Sequence, residues 1–299
     1  MNNIILAQQI DSLNRLSQQN AIDPNVYLDF SDRPSSTEFW MSEHLLSLYG
    51  TPEYQHLSLE QRRQLSQLEF SLLCSLSCTG EVEVVGAITQ LMLKPRYESV
   101  RQYLYYLVKE ENNHIYMFSE FCRRYGKLYP VYYPHLIKLD WDDPLINDLL
   151  TFLHVLIFEE LINDINRVLA KDESLPSLVR AINHVHSLDE GRHITFGRQL
   201  LKSLTEEVFA TISDQDLIKL QEHIIQYLSV RHHEYHHVEI YRTIGIPNAL
   251  SLQQRLIAQG GIHYFARDKD GEKKLLGILK FLNQIGLLTD DGMRQLIKV

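Results

Sequence analysis

The sequence predicts an all-α protein built on a four-helix bundle core, with additional helices at both ends. Three observations predict it. Apolar residues recur at three- and four-residue spacing over long stretches, strand-like alternation bounded by turn residues is almost absent, and carboxylate and histidine motifs fall at separations that suit antiparallel helices. With 299 residues and 44% hydrophobic content the chain can bury one large core. Nothing marks a second domain, so residues 1–299 read as a single helical domain.

The elements follow in order from local signals. Residues 2–19 and 37–49 read as helices flanking a loop with proline and aspartate, placed to cover the mouth of the bundle. Ser58-Leu59-Glu60-Gln61 is a capping box that opens a long helix through about Met92, and Lys94-Pro95 ends it. A second helix runs from about Tyr97 to Tyr125, followed by a loop rich in proline and tyrosine from Leu128 to Pro134. A third spans about Asp143 to Lys171. The fourth starts near Pro176, a favoured first-turn residue, and passes His193 to about Leu204. Ser213-Asp214-Gln215-Asp216 caps a fifth that reaches about Arg242. Ile246-Pro247 and Gly260-Gly261 punctuate a shorter helical tail.

The fourth helix carries the most informative run, His186-Ser187-Leu188-Asp189-Glu190-Gly191-Arg192-His193. Positions three and four apart share a helix face, so His186, Glu190 and His193 can address one centre. Glu111-Asn112-Asn113-His114 on the second helix matches it. One Glu-x-x-His alone is weak in a chain with fourteen histidines, and Glu53/His56 and Glu234/His237 repeat the spacing. The first of these follows Pro52 in a loop-like stretch. Bundles that hold two metal ions take Glu-x-x-His from each of two helices and one Glu from each of two others. The lone carboxylates are present: Glu81 or Glu83 on the first core helix, Glu159 or Glu160 on the third.

From Glu81 to Glu111 is 30 residues and from Glu159 to Glu190 is 31. At a rise of about 1.5 Å per residue, two half-helices and a short loop return the chain to the same height. Within the second doublet, Glu160, Asp164, Arg167 and Lys171 form a charged stripe that reads as solvated, whereas Glu159 shares a face with Phe152, Val155, Leu156 and Ile162. Glu81 shares its face with Val84, Val85 and Ile88. Glu83 follows Leu72 and Leu76 almost as well and remains the alternative.

A rival cluster, His232, His233, His236 and His237 with Glu234 and Glu239, comes in adjacent pairs that point to different faces. It reads as a polar helix face. The chosen set is anionic and rich in oxygen, which suits iron or manganese better than zinc or copper. Glu111 and Glu190, each one turn from a histidine, are the natural bridges between two ions. Glu110 and Asp189 stand where they can accept the outer N–H of the opposite helix's histidine.

Charge excludes some partners. A formal charge of −9 and a pI near 5.9 argue against nucleic acid. The N-terminus lacks a basic start and an apolar core, so it does not read as a secretion signal. The most apolar run, Leu149 to Phe158, is far short of the roughly 20 residues that cross a bilayer. Cys74, Cys78 and Cys122 lack CxxC spacing and fit free thiols in a reducing compartment. The expectation is a cytoplasmic protein without membrane or nucleic-acid partners, acting on small molecules.

His186 separates the possible functions, because ferritins, desaturases and ribonucleotide reductase small subunits use two histidines. Here the sequence resembles the diiron arylamine N-oxygenases, the p-aminobenzoate N-oxygenase type, recognised by E…ExxH…E…HxxxExxH. The likeness extends to Cys78-Thr79-Gly80-Glu81, to Glu159-Glu160-Leu161-Ile162-Asn163 with Leu169-Ala170-Lys171-Asp172, and to Gly260-Gly261 through Ala266-Arg267-Asp268. It spans roughly residues 40 to 290. The resemblance implies a ferritin-like bundle and two non-haem iron ions, with a Mn/Fe pair as the variant cofactor. It implies the ligands Glu81, Glu111, His114, Glu159, His186, Glu190 and His193.

It also implies a monooxygenase of natural-product biosynthesis that uses O₂ through a peroxo-diferric species to convert an amine, arylamine or carrier-bound, to hydroxylamine, nitroso or nitro product. Arg267 matches a family position associated with a substrate carboxylate. An external electron donor is required, and a homodimer is compatible. The chain departs from the family in being short, in a tighter gap from Glu111 to Glu159, and in having Glu110 where aspartate is usual. The competing readings are another diiron oxidase of the ribonucleotide-reductase-small-subunit kind, and a non-enzymatic iron-binding or ferroxidase protein. Against the first, the position one turn past His114 is Phe118 rather than a tyrosine.

Overall fold

A computed structural model describes residues 4–131, 141–259, 265–267, 273–275 and 277–297, the side chains of 4–9, 232, 259, 265–267 and 273–275 excepted. Its contacts group into two compact units. The first comprises Met1–Pro34, Ser71–Lys171 and Ser177–Ala210, and the second Ser35–Phe70, Asp172–Pro176 and Thr211–Val299.

The helices are α1 (Ile4–Gln19), α2 (Pro24–Tyr27), α3 (Pro52–His56), α4 (Leu59–Met92), α5 (Arg101–Arg124), α6 (Pro144–Leu169), α7 (Ser177–Phe209), α8 (Asp214–Glu234), α9 (Val238–Thr243), α10 (Ala249–Gln259), α11 (Gly277–Gln284) and α12 (Asp290–Ile297). Two strands, β1 (Phe265–Arg267) and β2 (Lys273–Leu275), pair antiparallel with Phe265 opposite Leu275. The architecture is all-α apart from this ribbon.

In the first unit α7 packs on α5 and α6, and α1 packs on α5 and α7; the part of α4 from Ser71 onward completes the bundle core, with Gly80 against Phe158 of α6 and Cys78 Sγ against the Ile115 carbonyl of α5. The capping signals act as the sequence predicts. Gln61 N–H donates to Ser58 Oγ at 3.2 Å and Ser58 N–H to Gln61 Oε1 at 2.9 Å, starting α4. Asp143 caps α6 by accepting from Leu145 N–H, with Pro144 in the first turn. The α4–α5 connection is tied to α6 by Asp148, which accepts from Lys94 Nζ and, at 2.8 Å, from Tyr97 Oη. One close approach depends on a missing side chain: a Cβ on Gly80 would lie 2.2 Å from the Phe158 ring. That contact brings α4 against α6 one residue from Glu81 and Glu159.

Several elements differ from expectation. Residues 37–49 are not a helix but bends around a 3₁₀ turn at Glu43–Leu45. The reason is competition for their backbone: Gln67 Nε2 donates to the carbonyls of Ser36 and Glu38, Trp40 N–H donates to Ser66 Oγ, and Ser47 N–H donates to Glu69 Oε2 at 3.0 Å. Side chains of α4 thus supply bonds that a helix would supply internally. Residues around Glu53 and His56 form the short helix α3, capped by Thr51, rather than a loop. The fifth long helix stops at Glu234 instead of reaching Arg242; beyond the stop His236 turns inward to Tyr241 Oη at 2.8 Å and its carbonyl accepts from Gln253. The segment 132–140, including part of the expected loop to Pro134, lies outside the described residues, as do Gly260 and Gly261.

By length and apolar content α4, not the Leu149–Phe158 stretch, is the described helix that would suffice to cross a bilayer. Core helices of bundles meet the same test, and α4 carries the buried carboxylates Glu69 and Glu81.

Candidate metal centre

All seven candidate ligands come together inside the first unit. Glu81 projects from α4, Glu111 and His114 from α5, Glu159 from α6, and His186, Glu190 and His193 from α7. None is more than 2% exposed. Glu83 is half-buried and lies outside the cluster that contains Glu81. Glu160 is also outside it, yet not solvated as its charged stripe suggests. It is 6% exposed because Arg198 on α7 covers it, with Arg198 Nε donating to Glu160 Oε1 at 2.6 Å.

The distances sort the donors into two groups. Glu81, His114 and His186 gather around Glu190 Oε1, which lies 3.2 Å from His186 Nε2 and 3.4 Å from His114 Nδ1. Glu159 and His193 gather with Glu111 Oε1, which lies 2.9 Å from His193 Nδ1. Each bridge faces both groups. Glu111 turns its Oε2 to His114 Nδ1 at 2.9 Å, and Glu190 turns its Oε2 to His193 Nδ1 at 3.6 Å. One position therefore has three ligands of its own and the other two, with two carboxylates shared.

The three histidines are held by their other nitrogens. His114 Nε2 donates to Asp189 Oδ2 at 3.1 Å, and His193 Nε2 donates to Glu110 Oε2 at 2.8 Å. Each partner lies on the opposite helix, so the two bonds cross between α5 and α7. Arg192 Nη2 joins the two acids, reaching Glu110 Oε1 at 2.8 Å and Asp189 Oδ1, while its Nε donates to Ser17 on α1 at 3.1 Å. These bonds turn Nδ1 of His114 and His193 towards the carboxylates of the cluster.

The partner of His186 carries no sequence signal. Asn166 on α6 sits against His186 Nδ1, its Oδ1 otherwise lacks a partner, and Asn166 is fully buried. With the amide oriented so that Oδ1 accepts from Nδ1–H, the Nε2 of His186 is left as the donor atom and faces Glu81 Oε1 at 3.0 Å. Asn166→Leu is expected to weaken metal binding about 10- to 100-fold, the usual cost of losing such a partner. Competitive chelator titration measures it, and unchanged affinity would remove Asn166 from the site.

Charge explains why the pocket suits cations. Burial and the neighbouring carboxylates push Glu81, Glu159 and Glu190 above the ordinary carboxylate range. Burial also pushes Glu111 up, but His193 and His114 outweigh it and hold Glu111 well below that range. Burial would lower His114, yet Glu111, Asp189 and Glu190 hold it at about 10. Burial and His114 drive His186 well below its usual value, leaving a neutral donor nitrogen.

The residues fit a pair of divalent ions. Glu81 Oε2, Glu111 Oε1, Glu159 Oε1, both Glu190 oxygens and His193 Nδ1 are buried without hydrogen-bond partners, the short approach of His193 Nδ1 to Glu111 Oε1 lacking hydrogen-bond alignment. Orphaned buried polar atoms cost about 1–3 kcal/mol each, more when charged. Four carboxylates match the charge of two divalent cations, and the mix of oxygen and imidazole donors suits iron or manganese. Gly80→Ala tests how closely α4 and α6 must approach here. Helix propensity favours alanine by about 1 kcal/mol, so a lower melting temperature with reduced iron content is the result expected from the Phe158 clash. An equal or higher one would show the ring moves freely.

The other sequence candidates do not form a site. Glu53 pairs with Arg255, and His56 Nδ1 lies against the Pro52 carbonyl. In the histidine-rich run His236 is buried against Tyr241 rather than on a polar face, and no metal-binding group forms there among the described residues. Arg267 stands on β1 opposite Lys273, and its side chain lies outside the described residues.

A four-helix core with a buried carboxylate and histidine cluster of this form defines a non-haem dinuclear-metal oxidoreductase of the diiron oxygenase class. The profile of the p-aminobenzoate N-oxygenase AurF family matches residues 7–245, and the chain belongs to that family. No curated protein matches the chain. Among solved structures, a variant of an R2-like ligand-binding oxidase with an anaerobically reconstituted Mn/Fe cofactor is similar at 14% identity and a TM-score of 0.42, over 83% of this chain and 90% of its own.

Proposed function

We propose that the protein uses O₂ to oxidise the nitrogen of a small amine, first of all an arylamine, through hydroxylamine and nitroso towards nitro products. His186 is the observation that carries this reading. It adds a third imidazole to a cluster that two histidines would complete, and it does so on the better-furnished of the two positions. The family match supports the same reading.

When bound, the metal pair supplies the redox chemistry that activates O₂. The chain does the rest. Glu111 and Glu190 hold the two positions together, Glu110, Asp189 and Asn166 fix the imidazoles, and the burial of the cluster excludes water from the reacting atoms. An external reductant supplies the electrons. The alternative in which an oxidising equivalent is stored on a tyrosine finds no residue one turn past His114, where Phe118 is fully buried with its ring 5.0 Å from that of His186.

The test is to load the protein with ferrous iron, admit O₂ with reductant, and follow a panel of aminobenzoates and alkylamines by mass spectrometry. Oxygen added at nitrogen over repeated turnovers is the expected result. O₂ consumption with no amine product would overturn the proposal.

A further inference from the structure

Tyr103 is the largest polar side chain near the cluster that the site does not use. It stands on α5 two turns before Glu111, on the stripe that continues through Leu107. Its ring packs on Phe196 of α7 with centroids 4.7 Å apart, and Phe196 is one turn beyond His193. The side chain is fully buried, and its hydroxyl has no hydrogen-bond partner. A buried phenol normally finds one, because an orphaned hydroxyl costs about 1–3 kcal/mol.

Its packing says which end of the cluster it lies near: Phe196, on which its ring rests, stands three residues beyond His193 and ten beyond His186 on α7. The charges that act on the phenol are those of His193, Glu110, Arg192 and Glu159, and burial together with this setting keeps it protonated, its pKa raised. Glu159 and His193 belong to the position with two ligands of its own. The less furnished metal position and the one orphaned tyrosine hydroxyl among the described residues thus lie on the same side.

We propose that Tyr103 and the Glu159/His193 position together form the binding site for the polar head of an exogenous ligand, with the Tyr103 hydroxyl as its hydrogen-bond donor. The ligand class is a small molecule or anion with a lone pair on nitrogen or oxygen, and the Tyr103 and Phe196 rings form an apolar wall beside it. The inference rests on metal occupying the cluster. It identifies which of the two positions receives the ligand and which protein group recognises it.

The test compares wild type with Tyr103→Phe, which removes the hydroxyl and keeps the ring. Azide is titrated into the iron-loaded, oxidised protein, with affinity read from its charge-transfer band and the azide stretch read by infrared spectroscopy. Iron content should be two per chain in both proteins, azide should bind about tenfold more weakly to the variant, as loss of one hydrogen bond to a charged ligand implies, and the stretch should shift. Without metal the variant should melt no lower than wild type, because the lost hydroxyl had no partner. Equal azide affinity and an unshifted stretch in two fully loaded proteins would overturn the inference. A lower melting temperature of the metal-free variant would also count against it, by giving the hydroxyl a structural partner. Failure of wild type to bind iron would instead defeat the metal reading, so the two failures are distinguishable.

Discussion

Glu190→Ala is expected to empty both metal positions. Its two oxygens face both donor groups, lying 3.2 Å from His186 Nε2, 3.4 Å from His114 Nδ1 and 3.6 Å from His193 Nδ1. Each position therefore loses a ligand at once, and one quarter of the anionic charge that balances the two cations disappears. The remaining carboxylates Glu81, Glu111 and Glu159 stay buried and would rather take up protons than hold a second ion. Affinity should fall by more than about 100-fold, beyond what loss of an outer hydrogen-bond partner costs. Glu83→Ala is the control, since its half-buried carboxylate is outside the cluster. Metal analysis after desalting reads both variants, and two ions retained by Glu190→Ala would refute its bridging position.

His186→Ala is expected to separate metal binding from turnover. The position it serves keeps Glu81, His114 and both shared carboxylates, so substantial iron should remain. Amine oxidation should fall about 100-fold or more, equivalent to about 2.7 kcal/mol of barrier. Rapid mixing of the reduced protein with O₂, together with product analysis, measures both. A variant that oxidises amines as well as wild type would make the third histidine structural and remove the main support for N-oxygenation.

Much of the site could be read from spacing because its ligands obey helical arithmetic. His186, Glu190 and His193 share one face of α7, and Glu111 and His114 share one face of α5, so local sequence fixes their neighbours. Glu110 and Asp189 were legible for the same reason: each precedes a bridging glutamate and meets the histidine of the helix opposite. Asn166 was not. Its partner lies on another helix, and a buried asparagine in α6 has no motif that announces it. Glu160 misleads in the opposite sense, since its wheel position is that of a solvated charge and only the approach of Arg198 from α7 covers it.

The misread elements share a cause. The wheel treats a segment as if its backbone had no other partners, but at residues 37–49 Ser66, Gln67 and Glu69 of α4 occupy those groups. At the end of α8, no glycine or proline warns of the break between Glu234 and Val238. The inward turn of His236 to Tyr241, a contact made after the break, accompanies it.

Metal content and the environment of each ion show whether the cluster holds two ions at two unlike positions. The protein should be loaded anaerobically with ⁵⁷Fe(II), desalted, and analysed for metal content alongside its Mössbauer spectrum. Two irons per chain in two distinct high-spin ferrous environments of equal population are expected, because one position is furnished by Glu81, His114 and His186 and the other by Glu159 and His193. One iron or none per chain, or iron that survives simultaneous replacement of Glu111 and Glu190, would contradict it.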